Sequence, residues 1–179
     1  WPNVRKLEEN HDVGRALSPD EERALLTAAA YDDSPNRNPM LYTFLRIALA
    51  TGMRSGEIAS LKWGQIDFEG GVLTVGREKT KGGTERLIPM NADVRMALEG
   101  HAVWYADPKR FGEINPGWYV FPARAGRPVG GRPRPYDPTK AIASLNSSWA
   151  ALRVKAGVSC RLHDLRHTAA TKMAEAGVP

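Results

Sequence analysis

The sequence predicts an α+β fold that is mainly helical and carries a small three-stranded antiparallel sheet. Three observations carry that prediction. Early in the chain, Leu41, Phe44, Leu45, Ala48 and Leu49 fall at i, i+3, i+4, i+7 and i+8, the spacing of one helix face. The period then shortens, and residues 65–68, 72–75 and 86–88 read as short strands separated by turn residues. Helical spacing returns later, where Ile142, Leu145, Trp149 and Leu152 share a face.

Taken in order, residues 1–16 are polar and aperiodic and read as a linker. Ser18, Pro19 and Glu21 supply an N-cap, a first-turn proline and the third member of a capping box, so a helix is expected to about Ala30. Residues 31–39 read as loop. Asn38-Pro39 opens the second helix, and Gly52 is placed to end it. A short third helix over residues 55–62 would turn Ile58 and Leu61 inward, which puts Arg54 in a tight helix-to-helix junction. Glu69-Gly70-Gly71 predicts the turn between the first two strands. The longer connection, residues 76–85, holds Lys79, Lys81, Gly82 and Gly83, a basic tip. Asn91 caps a helix to about Ala106. Residues 107–137 are rich in Gly, Pro and Arg around an apolar island at 118–121. Asp137-Pro138 is expected to start a long helix that Gly157 ends, and a last helix runs from Asp164 to just before Gly177.

The chain has 179 residues, enough for one domain with a sizeable core. The apolar stretch 41–50 is interrupted by Tyr42, Thr43 and Arg46, so it does not read as a membrane span, and no signal peptide is visible after Trp1. A single cysteine, Cys160, forms no internal disulfide; it fits a reducing cytoplasm and reads as a small buried hydrophobe. The formal net charge is +5, a weak pointer to a polyanionic partner. Clustering sharpens it: Arg124, Arg127, Arg132, Arg134 and Lys140 face only Asp137 in that stretch, which makes it a nucleic-acid contact or a solvated loop. The start at Trp1 is expected to mark a piece of a longer protein.

Two arginine-bearing segments carry the chemistry. His163 and Arg166, at i and i+3, share one face at a helix start, where free amides and the dipole favour anions. A guanidinium pairs two phosphate oxygens at once, and a histidine can move a proton near neutral pH. Each motif alone also reads as structure: a capped helix with an exposed Arg166, and an Arg54 junction in which Glu57 satisfies helix amides.

Together and in order, the segments resemble the catalytic domain of the tyrosine recombinase (phage integrase) family. Ala50-Thr51-Gly52-Met53-Arg54-Ser55-Gly56-Glu57-Ile58 is similar to the family's first arginine box, and His163-Asp164-Leu165-Arg166-His167-Thr168-Ala169-Ala170-Thr171, followed by Glu175-Ala176-Gly177-Val178, to its second. Lys81-Gly82-Gly83-Thr84-Glu85-Arg86-Leu87-Ile88-Pro89 resembles its lysine hairpin, and Tyr119-Val120-Phe121-Pro122 the segment before its long helix.

The resemblance implies the family fold over 17–179, with residues 1–16 linking to a separate DNA-clamping domain. It implies Arg54 and Arg166 as clamps on the scissile phosphate and Lys81 as the acid for the leaving 5′ oxygen, with Lys79 its nearest rival. His163 would assist proton transfer or hold the phosphate, Glu57 would hold the first box in place, and His167 would pack. Lys79, Arg124, Arg127, Arg132 and Arg134 would contact DNA. The reaction implied is attack by a tyrosine on DNA, giving a 3′-phosphotyrosyl link, with no cofactor and no metal. The partners implied are double-stranded attachment sites, with four full-length copies on DNA, and the setting is the cytoplasm of a bacterial host carrying a phage or mobile element. The nucleophilic tyrosine should follow Arg166 by a few dozen residues, but every tyrosine here (Tyr31, Tyr42, Tyr105, Tyr119, Tyr136) precedes it. The chain is therefore expected to be C-terminally incomplete and inactive in cleavage. The alternatives are a DNA-binding relative without catalysis and, remotely, a zinc protease built on His163 and His167 with Asp164 as base.

Overall fold

The computed structural model describes residues 14–30, 40–76, 85–125 and 134–177. Helix α1, Pro19–Ala30, begins where the capping box is expected. The Glu21 amide donates to Ser18 Oγ at 3.2 Å, and the Ser18 amide donates to Glu21 Oε2 at 2.9 Å. Both oxygens of Glu21 also accept from the Arg15 guanidinium, at 2.6 and 2.7 Å, and this pair is the main reason the Glu21 carboxyl falls to about 2.

Helix α2, Met40–Thr51, is the hub. Its apolar stripe is buried on Phe44, Leu45, Ala48 and Leu49, with Met40 and Ile47 added, whereas Leu41 is only partly covered. A helix with so broad an apolar face is a core element, and α2 packs against α1 and against two later helices, α4 (Ala92–Tyr105) and α6 (Asp164–Glu175). Gly52 ends α2 with φ +62°, the left-handed conformation that glycine adopts at least cost.

Helix α3, Ser55–Ala59, stops three residues short of the predicted end at Lys62. The backbone beyond it is claimed elsewhere: Val120 N–H donates to the Leu61 carbonyl at 2.8 Å, and Trp63 N–H donates to the Trp118 carbonyl at 3.0 Å. Ile58 and Leu61 are nevertheless fully buried, as expected. A 3₁₀ turn at Trp63–Gln65 leads into β1 (Ile66–Asp67), so the first strand is shorter than its predicted span. β2 (Val72–Val75) and β3 (Arg86–Pro89) complete an antiparallel sheet of order β1-β2-β3, in register through Leu73↔Ile88 and Val75↔Arg86.

Asn91 caps α4 as predicted, its side chain accepting from Val94 N–H at 2.9 Å. The predicted long helix from Asp137 is corrected. Residues Tyr136–Ala141 form strand β5, which pairs antiparallel with β4, Pro122–Arg124. Asp137 Oδ1 accepts from both the amide and the hydroxyl of Thr139, at 3.0 and 2.6 Å, a local bond that competes with helix formation. The Pro138 carbonyl accepts from Tyr119 N–H at 2.9 Å, and Ile142 N–H donates to the Phe121 carbonyl at 2.8 Å. Helix α5 therefore begins only at Asn146 and runs to Ala156, closed by Gly157 at φ +67°. Leu145, Trp149 and Leu152 still face the core. α6 closes the fold against α2. The apolar interior is continuous from Leu17 to Leu165 and includes the buried Cys160. Among the described residues no helix is long and apolar enough to cross a membrane.

Candidate phosphate-binding cleft

The end of α2, the start of α3, strand β3 and helix α6 enclose a cleft of about 310 Å³. Its lining includes Arg54, Arg86 and Arg166 together with Thr51, Gly52 and Ile88. Arg54 and Arg166, far apart in sequence, thus open onto one space. Their supports differ. Arg166 is half-buried, and its Nη1 donates to the Gly52 carbonyl. That carbonyl is left free because α2 ends there, so the helix terminus itself aims the second-box guanidinium at the first box. Arg54 has an exposed side chain, and its Nη1 lies a long 3.4 Å from Glu57 Oε1.

Glu57 gathers this side of the cleft. Its Oε2 accepts from the Arg54 amide at 2.8 Å and from Arg86 Nη2 at 2.7 Å. Burial works against ionisation of Glu57, but the Arg86 hydrogen bond, the Arg54 amide and both guanidinium charges outweigh it and hold the carboxyl below its ordinary range.

The second box is anchored from below. Asp164 is almost completely buried; its Oδ2 accepts from the Arg161 amide at 2.7 Å and its Oδ1 from Arg161 Nη2 at 3.0 Å. Burial alone would raise the Asp164 carboxyl, yet the Arg161 amide and guanidinium and the Arg15 amide hold it down. Thr168 Oγ1 donates back to the Asp164 carbonyl at 2.8 Å and accepts from Leu17 N–H at 2.9 Å, which ties the segment before α1 onto α6. A Cβ on Gly14 would come within 2.2 Å of His167 Nε2, so that segment lies directly on the His167 ring. The His167 ring lies against Gly14 and edge-on against His163 at a centroid distance of 4.9 Å. His163 sits exposed at the N-cap of α6, one turn before Arg166, and is not among the residues that line the cleft.

Lys79, Lys81, Arg127 and Arg132 lie outside the described residues. Arg124 stacks over Tyr136 at 4.5 Å and donates to the Arg134 carbonyl at 2.9 Å; Arg134 is exposed. Nearby, Arg110 covers Trp104 at 4.1 Å. The zinc-protease reading loses its base, because both oxygens of Asp164 are engaged by Arg161 in a buried site. Among the described residues no group of three or more His, Cys, Asp or Glu side chains could hold a metal.

Sequence reasoning missed Arg86, Asp164 and Gly14. Strand alternation puts Arg86 on the same face as Ile88, so a register for the hairpin would have pointed Arg86 at the cleft. Nothing local in the sequence marks Gly14, whose role comes from a contact with α6.

Comparison with known proteins follows the same outline. A family model described as the phage integrase family matches residues 15–179. The integrase of Salmonella phage P22 is 29% identical over 145 residues, covering 78% of this chain and 33% of its own length. A crystal structure of XerA recombinase superimposes with a TM-score of 0.66 at 23% identity, covering 99% of this chain and 54% of that one. The Tn1549 transposon integrase in complex with circular intermediate DNA gives a TM-score of 0.66 at 23% identity, covering 97% and 56%. The chain thus spans a third of the P22 relative and little more than half of the two solved chains.

Proposed function

This chain belongs to the phage integrase family, and from that premise we propose that it carries the phosphate-clamping part of a tyrosine-type, site-specific DNA recombinase. The observation that carries the reading is the shared cleft of Arg54 and Arg166, fixed by the Arg166 hydrogen bond to Gly52. Two guanidinium groups opening onto one space can bind the non-bridging oxygens of a phosphodiester and stabilise the charge that grows there during attack. Lys81 is assigned to protonate the leaving 5′ oxygen, and His163 to assist proton transfer or hold the phosphate. Glu57 supports the first arginine box, and Arg124, Arg127, Arg132, Arg134 and Lys79 contact the DNA backbone. Binding should then be salt-sensitive. The partner proposed is a double-stranded attachment site, approached by four copies of the whole protein, with residues 1–16 linking to a DNA-clamping domain. The setting proposed is the cytoplasm of a host carrying a phage or mobile element.

The cleaving nucleophile is assigned to a group outside residues 1–179. Among the described tyrosines, Tyr105 is buried, Tyr42 lies beneath Arg46, Tyr119 beneath Lys62 and Tyr136 beneath Arg124. None of them lines the cleft.

The test has two arms. The 179-residue chain incubated with a nicked attachment-site duplex should form no covalent DNA adduct; an adduct would overturn the assignment of the nucleophile. In the whole encoded protein, Arg166→Ala should slow strand cleavage by about 10²–10³. Unchanged cleavage would remove Arg166 from the reaction and favour a relative that only binds DNA.

A further inference from the structure

We propose that Arg86 is a positioning residue that keeps the Glu57 carboxylate from closing a two-point pair with Arg54, so that Arg54 presents a largely uncompensated positive charge to the cleft. The inference rests on the reading that Arg54 and Arg166 together take a phosphate. It starts from an imbalance in how one carboxylate is shared. Glu57 gives Oε2 to Arg86 at 2.7 Å and to the Arg54 amide at 2.8 Å, whereas the Arg54 guanidinium is held only at 3.4 Å. The strong charge-assisted bond therefore goes to Arg86, and the loose one to Arg54.

Charge bookkeeping gives the arrangement its consequence. Two arginines and one carboxylate leave a surplus of one positive charge. The distances place that surplus on Arg54, whose side chain is 66% exposed, rather than on Arg86, whose side chain is 45% exposed. Without Arg86, a Glu57 side chain that is only 22% exposed would have a single guanidinium within reach. It would then close a two-point pair with Arg54 and cancel the charge that faces the cleft. Strand geometry supplies the means. Arg86 pairs with Val75 across β2–β3 and shares a face with Ile88, which lines the same cleft, so the sheet carries the competing cation to Glu57.

The test uses inorganic phosphate as probe and reads the side-chain Nε–Hε resonances of Arg54 and Arg166 in the 179-residue chain by NMR. Arg86→Gln should weaken phosphate binding about tenfold, the scale of one lost charge-assisted contact, and make the Arg54 resonance insensitive to phosphate. Arg86→Gln combined with Glu57→Gln should restore binding to at least the original level, because the competitor for Arg54 is gone. Arg86→Lys should stay close to the parent, and its folded spectrum guards against misfolding of the glutamine variant. The inference is overturned if Arg86→Gln binds like the parent, or if the double variant binds no better than Arg86→Gln alone. Failure of the underlying site reading looks different: phosphate would then move neither the Arg54 nor the Arg166 resonance of the parent chain, and the inference would fall with it.

Discussion

The two sides of the cleft hold their arginines by different means. On the α6 side, Arg166 is half-buried and bonded to the Gly52 carbonyl, and the helix start behind it is tied down by the buried Asp164. On the α3 side, Arg54 is exposed and is steadied by a carboxylate that also serves Arg86. One guanidinium is fixed by the fold, while the other is poised by a charge balance at the surface. The first should respond mainly to changes in packing, the second mainly to changes in charge.

Acid offers a way to sharpen this contrast, but the aromatic core must be separated out first. His101 is buried, stacked against Trp63, Trp104 and Phe121, and its Nε2 donates to the Val120 carbonyl at 2.8 Å. Its Nδ1 has no hydrogen-bond partner among the described residues. Burial pushes this imidazole down to about 4, against the Val120 bond and with help from Arg110. Its folded value lies below the unfolded 6.5, so the unfolded chain takes up the extra proton between them. Stability should be intact above about pH 6.5 and fall by on the order of 3 kcal/mol as pH approaches 4. Urea unfolding across that range should show the slope, and His101→Gln should flatten it.

Glu57 and Asp164 act lower. Both carboxyls are held below their ordinary values, so their stabilisation is present above the unfolded carboxylate range and is lost only as pH falls through it. Asp164→Asn would break the α6 side directly. It removes the negative charge from a buried side chain that accepts from both the Arg161 amide and guanidinium, and should cost about 2 kcal/mol in urea unfolding.

Gly14→Ala tests the strap that lies on α6. The added methyl must displace the His167 ring, which should cost about 1 kcal/mol and change the His163–His167 contacts seen by NMR. If neither moves, the segment before α1 is a bystander. The smallest stability effect should come from Glu57→Gln, roughly 0.5 kcal/mol in the same unfolding assay, because it acts at a short surface helix and keeps an oxygen for the Arg54 amide. A larger loss than that of Asp164→Asn would reverse the contrast between the two sides.

Local chemistry made much of this legible in advance. The capping box at Ser18 and Glu21, the apolar stripe of α2, the glycine stop at Gly52 and the cap at Asn91 all depend on residues a few positions apart, and the structure has each of them. The long helix from Asp137 failed for the opposite reason. The apolar spacing of Ile142 with Leu145, Trp149 and Leu152 is genuine, but residues Tyr136–Ala141 pair with Pro122–Arg124, a partner that periodicity cannot see. The early end of α3 has the same origin, in bonds from residues 118–120.

The sequence by itself determined the family and the helical frame with its three-stranded sheet, and it singled out the two arginine-bearing segments, because those are patterns of neighbouring residues. Tertiary structure alone decided that the two boxes share one cleft, that Arg86 joins them, and that Asp164 and Gly14 brace the second. The physical reason is distance along the chain. Gly52 and Arg166, Glu57 and Arg86, and Gly14 and His167 interact across separations that no local spacing encodes, and their contacts exist only once the core has folded around α2.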